Sequence, residues 1–493
     1  MKHASSRSRV VRLLLAVVVP VLGVAPRRAR ADGAFPDSLG PLLPPDRPNE
    51  IVLATNFGIV LSEDAGQTWT YSCERMANGS AAGQYQLGPA PRNRLFALSD
   101  IALLYSDDRA CTWSKAGGLL AGKSAFDYFP DPVNAARVWA VRGPDAPDAG
   151  TNVTYSIVES TDGGATFTAT RYTAAVGDLI TGVEIARSDG NIAYLTLRSG
   201  TFVPKLAVTN NGGTSWTTRD LSARFANSSL SIVSIDPANP GKIFLRVSTS
   251  GATSVDSIAV SLDGGANFAN PSPLSVPDGV LTSFVRLPSG TLLVGGARVV
   301  SHVIYRSTNG GTSFQELPAP TVNGLGQRDG RVYIATNNDP AADGYALGVS
   351  NDEGGTWQPL MTYDQIQAIS SCAKSICQAD CVMKANLGTW EDAVCTADPS
   401  PLPVDGGARD GAAATDTRTD TRGTGGTSGN PGTGGAPHAD AGAAPAPSSG
   451  CHCDTGGGDG GAAAGLALAL ALAALSARRR ERRITCGRWR RAR

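Results

Sequence analysis

Histidine is scarce. The chain holds four, His3, His302, His438 and His452, and only His302 falls inside the region that reads as a folded domain. One imidazole makes neither a catalytic triad nor a histidine-based metal site. The chain also lacks a GxxxxGK[ST] phosphate loop, a dinucleotide fingerprint and an HExxH helix, so nucleotide-dependent and zinc-peptidase chemistry are not expected. No long helix-period run interrupts the first 365 residues. Neither sign of charge is in excess, because 43 basic residues balance 43 acidic ones. That balance hides an asymmetry. The first 31 residues carry seven basic residues and no acid, and the last 16 carry nine arginines and one glutamate. Between them lie 27 basic and 42 acidic residues, a net charge near −15. Such a surface repels phosphate, so nucleic acid is not an expected partner.

The basic start has the order of a secretory signal. Lys2, Arg7, Arg9 and Arg12 precede an apolar run over 13–25, and Ala29-Arg30-Ala31 forms a small-x-small cleavage site. Residues 1–31 are therefore expected to be a signal peptide. Export would put the nine cysteines into an oxidising compartment, where disulfides persist.

The middle of the chain repeats. SEDAGQTW (62–69) recurs as SDDRACTW (106–113), STDGGATF (160–167), TNNGGTSW (209–216), SLDGGANF (261–268), STNGGTSF (307–314) and SNDEGGTW (350–357). A period of roughly 48 residues fits four short strands with their turns, which is one propeller blade. Position three is Asp64, Asp108, Asp162, Asn211, Asp263, Asn309 or Asp352, short side chains that accept backbone N–H groups and pin a tight turn. Position five is glycine except at Ala110, where strain or a different turn shape is expected. Position eight is Trp69, Trp113, Phe167, Trp216, Phe268, Phe314 or Trp357, expected to bury an aromatic face between blades. Segments such as EIVLATN, KIFLRVS and RVYIATN have the branched, turn-bounded character of strands. The expectation is an all-β, seven-bladed propeller of four-stranded antiparallel blades over 34–365.

The octapeptide and the DP-x-N turns DPVNAAR (131–137) and DPANPGK (236–242) resemble the Asp-box (bacterial neuraminidase repeat) propeller superfamily. That superfamily includes sialidases, xyloglucan-active glycoside hydrolases, sortilin-type receptors and photosystem assembly factors. The resemblance implies the fold and no particular activity, since the box is a structural turn throughout.

Residues 366–397 hold Cys372, Cys377, Cys381 and Cys395 and read as a small helical hairpin tied by two disulfides, with three pairings open. Their C-x4-C-x3-C-x13-C spacing lacks the paired CxxC knuckles of a zinc site. Cys73 and Cys111 are the remaining propeller cysteines, candidates for a bond between blades one and two. Residues 398–460 are Gly, Ala, Thr, Asp and Pro with almost no large apolar residue, the composition of a disordered tether. An apolar helix over 461–477 and a basic, cytoplasmic 478–493 are then expected as a membrane anchor. Cysteine motif, short apolar helix and arginine cluster together resemble the MYXO-CTERM sorting signal of myxobacterial surface proteins. That resemblance implies a sorting protease, lipidation at Cys451 and display on the cell surface or outer membrane.

Catalytic signatures are absent. AFPDSLGPLLPPDRPNE, upstream of the first box, has no Arg-Ile-Pro motif of the sialidase kind, and Arg92, Arg94, Arg137, Arg286 and Arg298 are scattered. Asp178, Glu184 and Asp256 are candidate hydrolytic acids, but any propeller of this size offers as many, and they are expected to be solvated loop residues. The box carboxylates sit one to a blade, too far apart to share a calcium ion. No catalytic residue, metal site or cofactor is expected. Asn78, Asn152 and Asn227 head Asn-x-Ser/Thr triplets, from which no glycan is inferred in a bacterial setting. The leading expectation is a non-enzymatic surface protein binding an extracellular glycan or protein. A divergent sialidase-like or glycoside hydrolase enzyme and a structural envelope scaffold are the alternatives.

Overall fold

A computed structural model describes residues 38–77, 84–99, 102–144, 153–251, 253–298, 301–398 and 490–491. The expected signal peptide, tether, apolar helix and Cys451 lie outside the described residues, as do Asn78, Asn152, His3, His438 and His452. Among the described residues no helix is long and apolar enough to cross a membrane.

Seven sheets follow one another along the chain, each with four antiparallel strands in sequence order. Blade one runs through Ser38–Leu42, Ile51–Thr55, Gly58–Ser62 and Thr70–Cys73. The others span 84–115, 125–173, 179–220, 228–277, 279–318 and 324–361. First strands touch the first strands of neighbouring blades, as in blades three and four, six and seven, and seven and one, so they form the inner ring. Second strands such as Val138–Arg142 (VWAVR) and Ala193–Arg198 (AYLTLR) are buried along nearly their whole length. A blade sandwiched between two others has no solvent face at that depth, so strict alternation gives way to continuous apolar runs. The inner strands of blades one, three, four, five and six each shift register once; an extra residue of this kind increases local twist.

The ring closes without exchange of strands, because blade one is built wholly from the N-terminal end. After blade seven the chain instead lays Ala368–Ile369 parallel to Thr70–Tyr71, on the outer edge of blade one. Gly117–Gly118 make the same parallel approach to blade three, and Arg490–Arg491 to Ser283–Phe284 of blade six. Three blades thus carry a fifth strand beyond the expected four. Helix α1 (Lys374–Asn386) and the four-residue α2 (Ala393–Thr396) follow.

The disulfides correct the sequence expectation. Cys73 pairs with Cys377 and Cys111 with Cys372, and only Cys381–Cys395 joins two tail cysteines. Cys73 does not bond Cys111, and one disulfide rather than two ties α1 to α2. The cause is geometric. Cys73 ends the outer strand of blade one and Cys111 lies in the box turn of blade two, and the returning segment passes both. Ile366, Ile369, Cys377, Trp390 and Val394 pack there with Trp69 and Tyr71 of blade one and Met361 of blade seven.

Candidate functional site

Each octapeptide links the third and fourth strands of its blade, on the face where the inner strands end. The seven turns share one hydrogen-bond pattern. The position-one hydroxyl (Ser62, Ser106, Ser160, Thr209, Ser261, Ser307, Ser350) donates to the position-three side chain at 2.6–2.9 Å. The same hydroxyl accepts the position-five N–H at 2.8–3.0 Å. The position-seven N–H donates to the position-three oxygen at 2.8–3.1 Å.

Positions four and five are both left-handed in every turn. Non-glycine residues reach that region at Ala65, Arg109, Ala110 and Glu353. Ala110 (φ 68°) therefore keeps the common turn shape and takes the strain instead. At Gly265 a Cβ would come 2.1 Å from Leu206 Cδ2 of the preceding blade, so close packing as well as conformation favours glycine there. The aromatic positions differ in depth: Trp69 and Phe167 are buried, while Trp113, Trp216, Phe268, Phe314 and Trp357 are partly buried against apolar clusters of the preceding blade.

Carboxylate and amide boxes differ in a matched way. Thr68, Thr112, Asn267 and Thr356 donate to the second oxygen of Asp64, Asp108, Asp263 and Asp352. Where position three is Asn211 or Asn309 the direction reverses, and the amide donates to Ser215 or Ser313 at 2.8 Å. The backbone N–H groups of Asn267 and Thr356, foremost among several donors, hold the carboxyls of Asp263 and Asp352 at about 2. Burial pushes those of Asp64, Asp108 and Asp162 up, but turn hydrogen bonds outweigh it and keep them below the ordinary value.

Four of the five scattered arginines tie blade to blade, and Arg298 stays within blade six. Arg92 and Arg94 share Asp107, and they donate to the carbonyls of Asp162 and Gly163 in the next box at 3.2 and 2.6 Å. Hydrogen bonding by Arg94, foremost, holds Asp107 far below the carboxylate range. Arg137 bridges Glu159 (3.0 Å) and the Gly190 carbonyl (2.5 Å). Arg286 meets Asp236 across blades five and six, and Arg298 pairs with Glu316 at 2.6 Å.

The candidate acids do not converge on one site. Asp178 binds Lys205 at 2.8 Å. Asp256 binds Arg246 at 2.8 Å and accepts the Leu281 N–H at 2.9 Å. Glu184 is buried on the inner strand of blade four. His302 is partly buried, and burial pushes its imidazole below the usual value. Asn227 lies in a left-handed turn (φ 55°). Among the described residues no three His, Cys, Asp or Glu side chains gather as a metal site.

A cavity of about 590 Å³ opens where the inner strands end, at the mouth of the central channel. Six prolines, Pro41, Pro45, Pro89, Pro130, Pro132 and Pro288, form much of its wall. Gln86 and Gln327 contribute side-chain oxygens that are buried and have no hydrogen-bond partner. Asp329 is the one carboxylate among the described lining residues. Sequence reasoning passed over this wall, although prolines recur near the end of several inner strands.

No protein-family model matches the chain, and no curated protein matches it. Solved structures similar to it include the GH74 enzyme of Niastella koreensis, at 15% identity and TM-score 0.30, covering 66% of each chain. The GH74 xyloglucanase from Xanthomonas campestris is similar at 14% identity and TM-score 0.31, covering 67% of this chain and 71% of that one. YCF48 bound to D1 peptide is similar at 18% identity and TM-score 0.32, covering 48% and 68%. The chain thus spans about two thirds of the length of each.

Proposed function

We propose that this chain is an exported, surface-anchored propeller that binds an extracellular polysaccharide or protein and does no chemistry on it. One observation carries the reading: among the described residues the cavity at the channel mouth has a single lining carboxylate, Asp329, while Asp178 and Asp256 are held by Lys205 and Arg246. Inverting and retaining glycosidases need two carboxyl groups across a gap. The resemblance to Asp-box propellers supports the same view, because the box side chains are used up within their own turns.

The signal-like start, the tether and the tail resembling a MYXO-CTERM signal support display on the cell surface. Sorting at Cys451 would remove everything after it, Arg490–Arg491 included, and leave the inner edge of blade six open. The test is to screen the purified full-length protein against fluorogenic glycosides and, in parallel, against glycan and protein arrays. Binding without turnover is expected. Hydrolysis at ordinary enzyme rates would replace this reading with the surface hydrolase, and neither binding nor turnover would leave an envelope scaffold.

A further inference from the structure

The chemistry of the cavity wall narrows what it can hold. Proline has no N–H, so six prolines present carbonyl oxygens and ring methylenes but no donors. An extended peptide that adds to a sheet edge needs a regular row of alternating N–H and C=O groups, and six prolines interrupt any such row along this wall. Proline-rich peptides dock in aromatic grooves, and no described lining residue is aromatic.

Charge gives no strong preference either. Arg328 is buried, and its guanidinium is committed to the backbone carbonyls of Glu50 (2.6 Å) and Arg47 (3.2 Å). Arg187 and Asp329 are exposed and of opposite sign. What the wall lacks is hydrogen-bond donors for the side-chain oxygens of Gln86 and Gln327, which flank blade one from blades two and seven. A volume of about 590 Å³ lies within the range of small-molecule sites.

Resting on the binding reading above, we infer that the channel mouth on the box-turn face binds a short neutral oligosaccharide. Its hydroxyls donate to Gln86 and Gln327, and the apolar faces of its rings lie on the prolines. Rigid proline walls lose little freedom on binding, and only the two glutamine side chains have to turn their oxygens out to the ligand.

The test uses the full-length protein and an array of neutral (glucan, mannan, xylan) and uronic-acid oligosaccharides, followed by calorimetry with the best neutral tetrasaccharide. Wild type is expected to prefer neutral probes. Gln86→Leu with Gln327→Leu should weaken that binding tenfold or more while leaving the melting temperature unchanged or higher, since two unpaired amide oxygens are removed. Val133→Trp, at an exposed position on the mouth, should abolish it by obstruction. Arg187→Glu should change it less than twofold. A preference for acidic probes, or a large Arg187→Glu effect, would overturn the ligand class. Neutral-glycan binding untouched by both Gln86→Leu/Gln327→Leu and Val133→Trp would overturn the site but leave the binding reading standing. Failure of wild type to bind any neutral probe would overturn the inference outright, and protein-array binding would then decide the broader reading separately.

Discussion

The ring should open when its covalent clasp is removed. Cys73–Cys377 closes a loop of 304 residues and Cys111–Cys372 one of 261. The two are not independent. With either bond intact, the other closes only the path between Cys73 and Cys111 plus that between Cys372 and Cys377, about 43 residues. Chain entropy then assigns a loss of about 4 kcal/mol to removing either pair alone, and about 10 kcal/mol to removing both, as upper values. The double loss exceeds the sum of the single ones, which is the signature of two bonds performing one closure. Cys381–Cys395 spans 14 residues within the tail segment and should cost about 3 kcal/mol, adding simply to either pair. Paired Cys→Ala variants would be unfolded in urea and followed by tryptophan fluorescence, with Trp69 and Trp390 both buried at the clasp. Removing both long-range pairs with an effect no larger than removing one would refute the reasoning. The apolar contacts of the returning segment, rather than its disulfides, would then be what holds blade seven to blade one.

Asp162→Ala should destabilise by about 1–3 kcal/mol, because the Ser160 hydroxyl and the Thr166 N–H lose their acceptor, with oligosaccharide binding unchanged; an unaltered urea midpoint would speak against the turn's role. Ala110→Gly should stabilise by about 0.5–1 kcal/mol, since glycine relieves the left-handed strain but loosens the unfolded chain. Asp263 and Asp352 have carboxyls at about 2 in the fold against an ordinary aspartate value of 3.8. The unfolded chain therefore takes up protons first as pH falls. Their contribution is complete above about pH 4 and is lost as pH drops towards 2. Asp263→Asn with Asp352→Asn should flatten the pH dependence of the urea midpoint across that window. Deleting residues 461–493 should release the protein into the medium, as read by immunoblot of cells and supernatant.

The propeller was legible because the box repeats a whole set of constraints. A short acceptor at position three and an aromatic at position eight recur seven times, at a spacing that four strands fill. The same rows held two further signals. Ser or Thr stands at position one in all seven copies, and its hydroxyl is the hub of the turn. Position four, left-handed throughout, tolerates Ala65, Arg109 and Glu353 and so carries no glycine rule to notice. The disulfides were not legible in the same way. Their pairing depends on where the chain goes after blade seven, and local spacing around Cys372 and Cys377 says nothing about partners 261 and 304 residues away.

The polar residues show why the site was harder to find than the fold, and how it could have been narrowed. Arg219 reaches the Gly264 carbonyl 45 positions on, Arg306 the Asp352 carbonyl 46 on, and Arg137 the Gly190 carbonyl 53 on. Each interval is close to one blade, because a side chain leaving one blade meets the turn of the next. An arginine about one repeat ahead of a box therefore belongs to the ring, and looking for clusters along the sequence could not reveal that. Asp178, Asp256 and Asp236 have cationic partners in the same or the adjoining blade and drop out with them. Among the residues lining the channel mouth, Gln86, Gln327, Arg187 and Asp329 carry polar groups that neither box nor ring contact explains. A repeat protein uses most of its polar side chains to join identical units, so its binding chemistry is best sought among those that the repeat does not require.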